Sequence, residues 1–207
     1  AALNWLAQAG KRWRPLLTVC VYKALAAQTQ DESVSDTVRK VALATECFHK
    51  ASLLHDDIED GDDYRYGEMT LARKHGVPLA LNLGDFLIGE GYRLLADCGA
   101  PADQSLRMLA IAAEGHRNLC LGQGDELCWV RQPAPLATRQ VLDFFRRKTS
   151  PAFDVALRLG AVCAGGTPEV EQVLSRFSEA LGIAYQIRDD LEDFFHPENE
   201  SDAEALR

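Results

Sequence analysis

Nowhere in these 207 residues do roughly 18 apolar positions run uninterrupted, which argues against a membrane-spanning helix. Basic charge is scarce as well: 22 Lys and Arg stand against 31 Asp and Glu, giving a net charge of −9 and a pI near 5.0. A nucleic-acid partner needs a basic footprint to neutralise phosphates, so that class is excluded. The six cysteines (Cys20, Cys47, Cys98, Cys120, Cys128 and Cys163) include no Cys-x-x-Cys pair, which removes a zinc or disulfide framework. Most of them lie in apolar helical pattern and read as buried free thiols of a reducing compartment. The opening residues lack the layout of a signal peptide, so a soluble cytoplasmic protein without stable membrane insertion is expected. Strand-like alternation, low-complexity tracts and long internal repeats are missing too.

What is present is helical period, with 47% hydrophobic content, enough to bury one sizeable core. Leu3 to Ala27 is apolar at helical spacing but broken by the basic cluster Gly10-Lys11-Arg12-Trp13-Arg14-Pro15, read as a loop feeding a Leu16–Ala27 helix with Pro15 in its first turn. Helices are expected over Thr37–Asp60, Pro78–Ala96, Ala102–Trp129, from Thr138 toward Lys148-Thr149 and on from Pro151 to Ala164 after a kink at Pro151, and from Pro168 onward, with Thr138 and Thr167 as N-caps. Gly61–Gly76 reads as a charged loop. The architecture these segments predict is all-α, a helical bundle around a central cavity.

Two stretches break the pattern in the same way. Leu53-Leu54-His55-Asp56-Asp57-Ile58-Glu59-Asp60 and Tyr185-Gln186-Ile187-Arg188-Asp189-Asp190-Leu191-Glu192-Asp193 each end an apolar run with Asp-Asp-x-x-Asp. On a helix the first and last Asp of each set stack one turn apart and repel, by a few tenths of a kcal/mol per pair. Negative charge at a helix C-terminus also opposes the dipole. A local rule broken twice in near-identical form points to function. Two such ends facing each other make a hard-oxygen site suited to Mg²⁺, which keeps several waters and shares its shell with substrate phosphates.

The order of basic cluster, acidic motif, Gly84-Asp85, Gly122-Gln123, Lys148-Thr149 and Gly182-Ile183-Ala184-Tyr185-Gln186-Ile187-Arg188-Asp189-Asp190 resembles the trans-isoprenyl diphosphate synthase (polyprenyl synthetase) family over nearly the whole chain. The resemblance implies an isoprenoid synthase-like fold, Mg²⁺ dependence and a homodimer. It also implies a reaction in which an allylic prenyl diphosphate ionises and isopentenyl diphosphate attacks the cation. It assigns the metal to Asp56, Asp57, Asp60, Asp189, Asp190 and Asp193. It gives the allylic diphosphate and catalysis to Arg65, Lys148, Thr149 and Gln186, and the second diphosphate to Lys11, Arg14 and His49. Ala51 and Ser52, one turn above the first motif, become the wall beside the growing tail; both are small, which implies a product longer than fifteen carbons. Phe86 is a candidate tunnel floor, and His55 is left a supporting role.

The chain departs from that family at three points. Arg65-Tyr66 stands where the family carries two arginines, the Gly-Lys after the second motif is absent from Phe194–Arg207, and the chain stops where the family continues. One domain lacking terminal parts of the family's length is therefore expected. Two rival readings stay open: a terpene synthase-like enzyme that ionises without condensing, and a non-catalytic subunit of a heteromeric synthase.

Overall fold

A computed structural model describes the backbone of residues 2–7, 10–26 and 35–195, and the side chains of all of these except 2 and 192–194. Eight helices are described: α1 (Ala2–Ala7), α2 (Trp13–Ala26), α3 (Asp36–Glu59), α4 (Leu71–His75), α5 (Val77–Ala96), α6 (Ala102–Arg131), α7 (Thr138–Cys163) and α8 (Pro168–Phe195). The fold is all-α. Among the described residues no helix is long and apolar enough to cross a membrane.

α3 is the central element. Ser35 caps it, its hydroxyl accepting from the Val38 N–H, and Asp36 sits in the first turn where negative charge is favoured. Val41, Ala44, Cys47, Ala51 and Leu54 form its buried stripe and pack with Leu87, Leu94 and Leu95 of α5, Met108 and Ile111 of α6 and Leu159 of α7. The helix stops at Asp60, whose N–H bonds back to the Asp56 carbonyl. The acidic motif is therefore the last turn of a helix anchored in the core, and its position follows from that burial.

α7 packs against α8, α6 and α2. It runs unbroken through Pro151, which has no N–H to offer the Arg147 carbonyl. That carbonyl lies where Gly122 of α6 comes close: a β-carbon there would stand 2.8 Å from it.

Several expectations need correction. The basic cluster is not all loop, because α2 begins at Trp13 and carries Arg14 in its first turn. Thr138 is the first helical residue and not a cap; the preceding Ala137 N–H is met by the Gln140 side chain. The Gly61–Gly76 segment holds α4 and a two-stranded antiparallel hairpin, β1 (Tyr64–Arg65) with β2 (Glu68–Met69). Strands of two residues are too short to show alternation. The turn places Tyr66 and Gly67 at φ 55° and 76°, both positive as a tight hairpin turn requires. Only Cys47 and Cys98 are buried; Cys20, Cys120 and Cys128 are exposed and Cys163 is intermediate, all as free thiols.

Candidate active site

A cavity of about 380 Å³ runs through the bundle, lined from five of the long helices and from Arg14 of α2. Its wall is apolar through Phe48, Leu53, Ile88, Leu119 and Val155 and polar where Asp56, Lys148, Thr149 and Gln186 meet. Asp56 on α3 and Gln186 on α8, one turn ahead of Asp189 and Asp190, thus border one space, while Asp189 and Asp190 are not among its lining residues.

The polar end is organised by α7. Thr149 donates to Gln186 Oε1 at 2.8 Å, and Gln186 Nε2 donates to Asp190 Oδ1 at 2.8 Å. One hydroxyl on α7 therefore orients a carboxylate on α8. Lys148 pairs with Glu126 of α6 at 2.5 Å and sets positive charge near Asp56. Glu126 went unnoticed in the sequence because its role exists only across the α6–α7 contact.

Asp56 is raised to about 6, chiefly because burial disfavours its charge; Lys148 and Arg65 oppose the shift, while Asp60 and Glu59 add repulsion. A carboxylate crowded this way is stabilised by a cation. Among the described residues no three His, Cys, Asp or Glu side chains are gathered closely enough to hold a metal by themselves. Asp60 is exposed at the helix end, Asp189 lies 3.6 Å from the Arg188 guanidinium, and Asp193 lies outside the described side chains. Asp57 is elsewhere: fully buried, it takes the Arg65 guanidinium, which also reaches Asp62 at 3.4 Å. Arg65 and Asp57 clamp the hairpin to α3 and do not line the cavity.

Arg14 and His49 meet on the cavity wall, 3.2 Å apart. A guanidinium can only donate, so His49 Nε2 accepts and the imidazole is neutral. Its pKa falls to about 3 because burial disfavours the imidazolium and Arg14, Lys50 and Arg65 repel it. Arg14 lies over the Phe153 ring, and its buried Nε has no hydrogen-bond partner among the described residues, a donor left for a ligand. Lys11 is exposed on the loop before α2.

Stability should respond to this histidine. Between its ordinary 6.5 and about 3 the unfolded chain binds the extra proton, so acidification weakens the fold. Asp56, raised from 3.8 to about 6, holds its extra proton in the folded state and acts in the opposite sense. In metal-free buffer His49→Gln removes only the loss, so on going from neutral to about pH 5 the variant should gain about 2 kcal/mol relative to wild type. Urea unfolding at both pH values measures this, and an identical pH response in the two proteins contradicts a buried neutral His49.

Ser52 lines the cavity, as expected of a wall residue, whereas Ala51 is fully buried in the α3 core and does not. Phe86 is 54% exposed on the outer face of α5 and cannot floor the tunnel. Phe48 and Tyr185 are the Phe and Tyr side chains that line the cavity; Phe48 is edge-on to Tyr92 with centroids 5.0 Å apart, and the Tyr92 hydroxyl in turn lies 3.3 Å from His116 Nδ1. His55 packs against Gly84 with Nε2 3.4 Å from Asp85 Oδ1.

Fold and site together define a helical-bundle protein with a largely apolar cavity bordered by Asp56 near the end of α3 and by Gln186 on α8. The chain belongs to the polyprenyl synthetase family, which it matches over residues 1–205. It is 31% identical over 193 residues to a geranylgeranyl pyrophosphate synthase of Geoglobus acetivorans, covering 93% of this chain and 58% of that one. It is also 31% identical to an octaprenyl diphosphate synthase of Haemophilus influenzae, covering 89% and 53%. A geranyltransferase of Helicobacter pylori, solved with magnesium and isoprenyl diphosphate, superposes with a TM-score of 0.88 at 27% identity over 97% of this chain and 67% of that chain. The chain spans a little over half the length of the curated relatives it matches.

Proposed function

We propose that this protein is a Mg²⁺-dependent prenyltransferase that condenses an allylic prenyl diphosphate with isopentenyl diphosphate into a longer trans-prenyl diphosphate. The observation that carries the reading is the make-up of the cavity: Asp56, Lys148 and Gln186 supply carboxylate, ammonium and amide, while Phe48, Leu53, Ile88, Leu119 and Val155 give it an apolar wall. A prenyl diphosphate has that same division. The relatives' names and the magnesium complex of the Helicobacter protein support it.

The oxygen donors of Asp56 and Asp60, which repel each other, suit a hard divalent ion. Asp56 and Asp60 from α3 and Asp189, Asp190 and Asp193 from α8 would hold it. When bound, magnesium supplies positive charge for the departing pyrophosphate. Lys148 adds a fixed cation at the same end, and the Thr149–Gln186 pair holds Asp190 in place. Arg14, whose buried Nε–H has no partner among the described residues, would join the neutral His49 and Lys11, on the loop before α2, in holding the second diphosphate. The apolar wall excludes water from the allylic cation, which water would otherwise quench.

Incubation with Mg²⁺, farnesyl or geranyl diphosphate and isopentenyl diphosphate, followed by chromatography, tests this. Longer prenyl diphosphates are expected. Pyrophosphate with a hydrocarbon or alcohol would indicate ionisation without condensation, and no turnover a non-catalytic subunit. Phe48 stands about 12 Å along α3 from Asp56, two turns back, where a tail would meet its ring. Phe48→Ala should therefore lengthen the dominant product by at least one five-carbon unit; an unchanged product distribution places the tail elsewhere. Exposed Leu79 and Phe86, on one stripe of α5, suit contact with a second copy, and the exposed free thiols suit the cytoplasm.

A further inference from the structure

Arg131 and Arg139 are exposed and make no ion pair among the described residues. They flank the link between α6 and α7. Residues 127–142, which take in the end of α6, the link and the start of α7, contain no Asp or Glu in a chain that has 31 of them. The acids nearest in sequence, Asp125, Glu126 and Asp143, already pair with Arg147, Lys148 and Arg146. This tip of the bundle thus carries two positive charges that none of those acids cancels, on a molecule of net charge −9.

Apolar side chains share the same tip. Val130 is 61% exposed, Trp129 37% and Leu142 38%. Trp129 Nε1 donates to the Ala134 carbonyl at 2.8 Å, which satisfies the indole N–H and pins the ring to the link. Pro133 and Pro135 stiffen that link and leave it two N–H groups fewer. The Asp125–Arg147 and Glu126–Lys148 rungs set α6 and α7 antiparallel and bring Val130 and Arg131 level with Leu142 on the next helix. An indole, a small aliphatic patch and unpaired arginines form the composition that suits a lipid–water interface, with the ring at headgroup depth and the cations against anionic headgroups. The tip also adjoins the cavity, since Leu127 and Lys148 line it. Both acidic motifs lie on helices that pack against α7, α3 and α8, whereas among the described residues α6 makes no extended contact with either.

We propose that the α6–α7 tip docks this protein on the surface of an anionic lipid bilayer, with Trp129, Val130 and Leu142 at headgroup depth and Arg131 and Arg139 against the lipid phosphates. Such docking is peripheral and reversible, because two cations and a small apolar patch fall far short of insertion. A second copy of the chain is the poorer occupant: an isologous contact here would set arginine against arginine, whereas an anionic surface pairs them. Docking of this kind goes beyond the prenyltransferase reading and needs no catalysis. Combined with that reading, it brings the cavity beside the phase into which a prenyl chain partitions.

Co-sedimentation of the full chain with lipid vesicles tests this, using phosphatidylcholine alone and an equimolar mixture of phosphatidylcholine and phosphatidylglycerol. Wild type should bind the mixed vesicles about tenfold more tightly or better, and raising salt from about 0.1 M to about 0.5 M should release it. Arg131→Gln combined with Arg139→Gln should weaken that binding about tenfold or more, and so should Val130→Asp. Arg117→Gln combined with Arg176→Gln removes two other exposed arginines that have no ion pair among the described residues, and should change binding less than about twofold. Thermal melts check that each variant folds, as their exposed positions lead one to expect. Failure of wild type to bind, equal binding to the two kinds of vesicle, or equal losses in the two arginine pairs overturns the proposal. So does a tip variant that binds as wild type does. If wild type ignores vesicles while Val130→Asp dissolves an oligomer seen in lipid-free sedimentation, the tip is a contact between copies and the lipid assignment falls. Should a tip variant not fold, Arg131→Gln alone decides: binding about threefold weaker or more supports docking, and unchanged binding overturns it.

Discussion

Asp56→Ala should abolish product formation, by about a thousandfold or more, without lowering the melting temperature of the metal-free protein. Both halves of that expectation come from the same crowding. The Asp56 carboxylate lies on the cavity wall, raised to about 6 by burial, with Asp60 and Glu59 adding like charge. Removing it deletes a repelling group from a helix C-terminus, where the dipole already disfavours negative charge, so the fold loses nothing and can gain. Catalysis loses the one aspartate of the first motif that lines the cavity. A radiolabelled product assay and a melt in EDTA check the two halves together. Substantial remaining turnover removes Asp56 from the site, whereas lost turnover with a lowered melting temperature makes its role structural.

Much of the fold was legible because helical period is a local signal. The α3 pattern places the helix within one residue of its observed Asp36–Glu59 span at either end, and the Gly165–Pro168 break separates α7 from α8 as read. What escaped notice was either too short or too non-local. A two-residue strand pair has no period, and Ala137 acquires a partner only because Gln140 reaches back to it. Cysteines on apolar-looking helices divide between core and surface according to which face meets a neighbour, which spacing alone leaves open.

The candidate site divides along the same line. Asp56, Lys148, Thr149, Gln186, Arg14, His49 and Ser52 come together on one cavity wall, and each stands in a motif that can be read along the chain. Ala51 and Asp57 flank them in sequence yet turn into the core, because residues one apart on a helix point about 100° away from each other. Phe48 with Tyr92, Lys148 with Glu126, and Lys50 with Trp5 and Tyr66 are pairings across elements. No spacing rule within one element reveals them.

Gly182→Val should destabilise the protein by about 2–3 kcal/mol and reduce turnover more than about a hundredfold in whatever fraction remains folded. Gly182 lies on α8 where it crosses α7, and a β-carbon there would stand 2.6 Å from the Ser150 Cα, inside the other helix's backbone. No rotamer change relieves such an overlap, so the helices must separate. Ser150 follows Thr149, whose hydroxyl orients Gln186 four residues along from Gly182, and Gln186 in turn holds Asp190. A shift of about an ångström at the crossing is therefore delivered to the second acidic motif, where misplacement on that scale costs about two orders of magnitude in rate. Gly182→Ala, the smaller change, should show the same two losses in reduced measure. Turnover per folded molecule that stays at the wild-type level in either variant, measured beside urea unfolding, would separate the helix crossing from the positioning of Gln186 and Asp190.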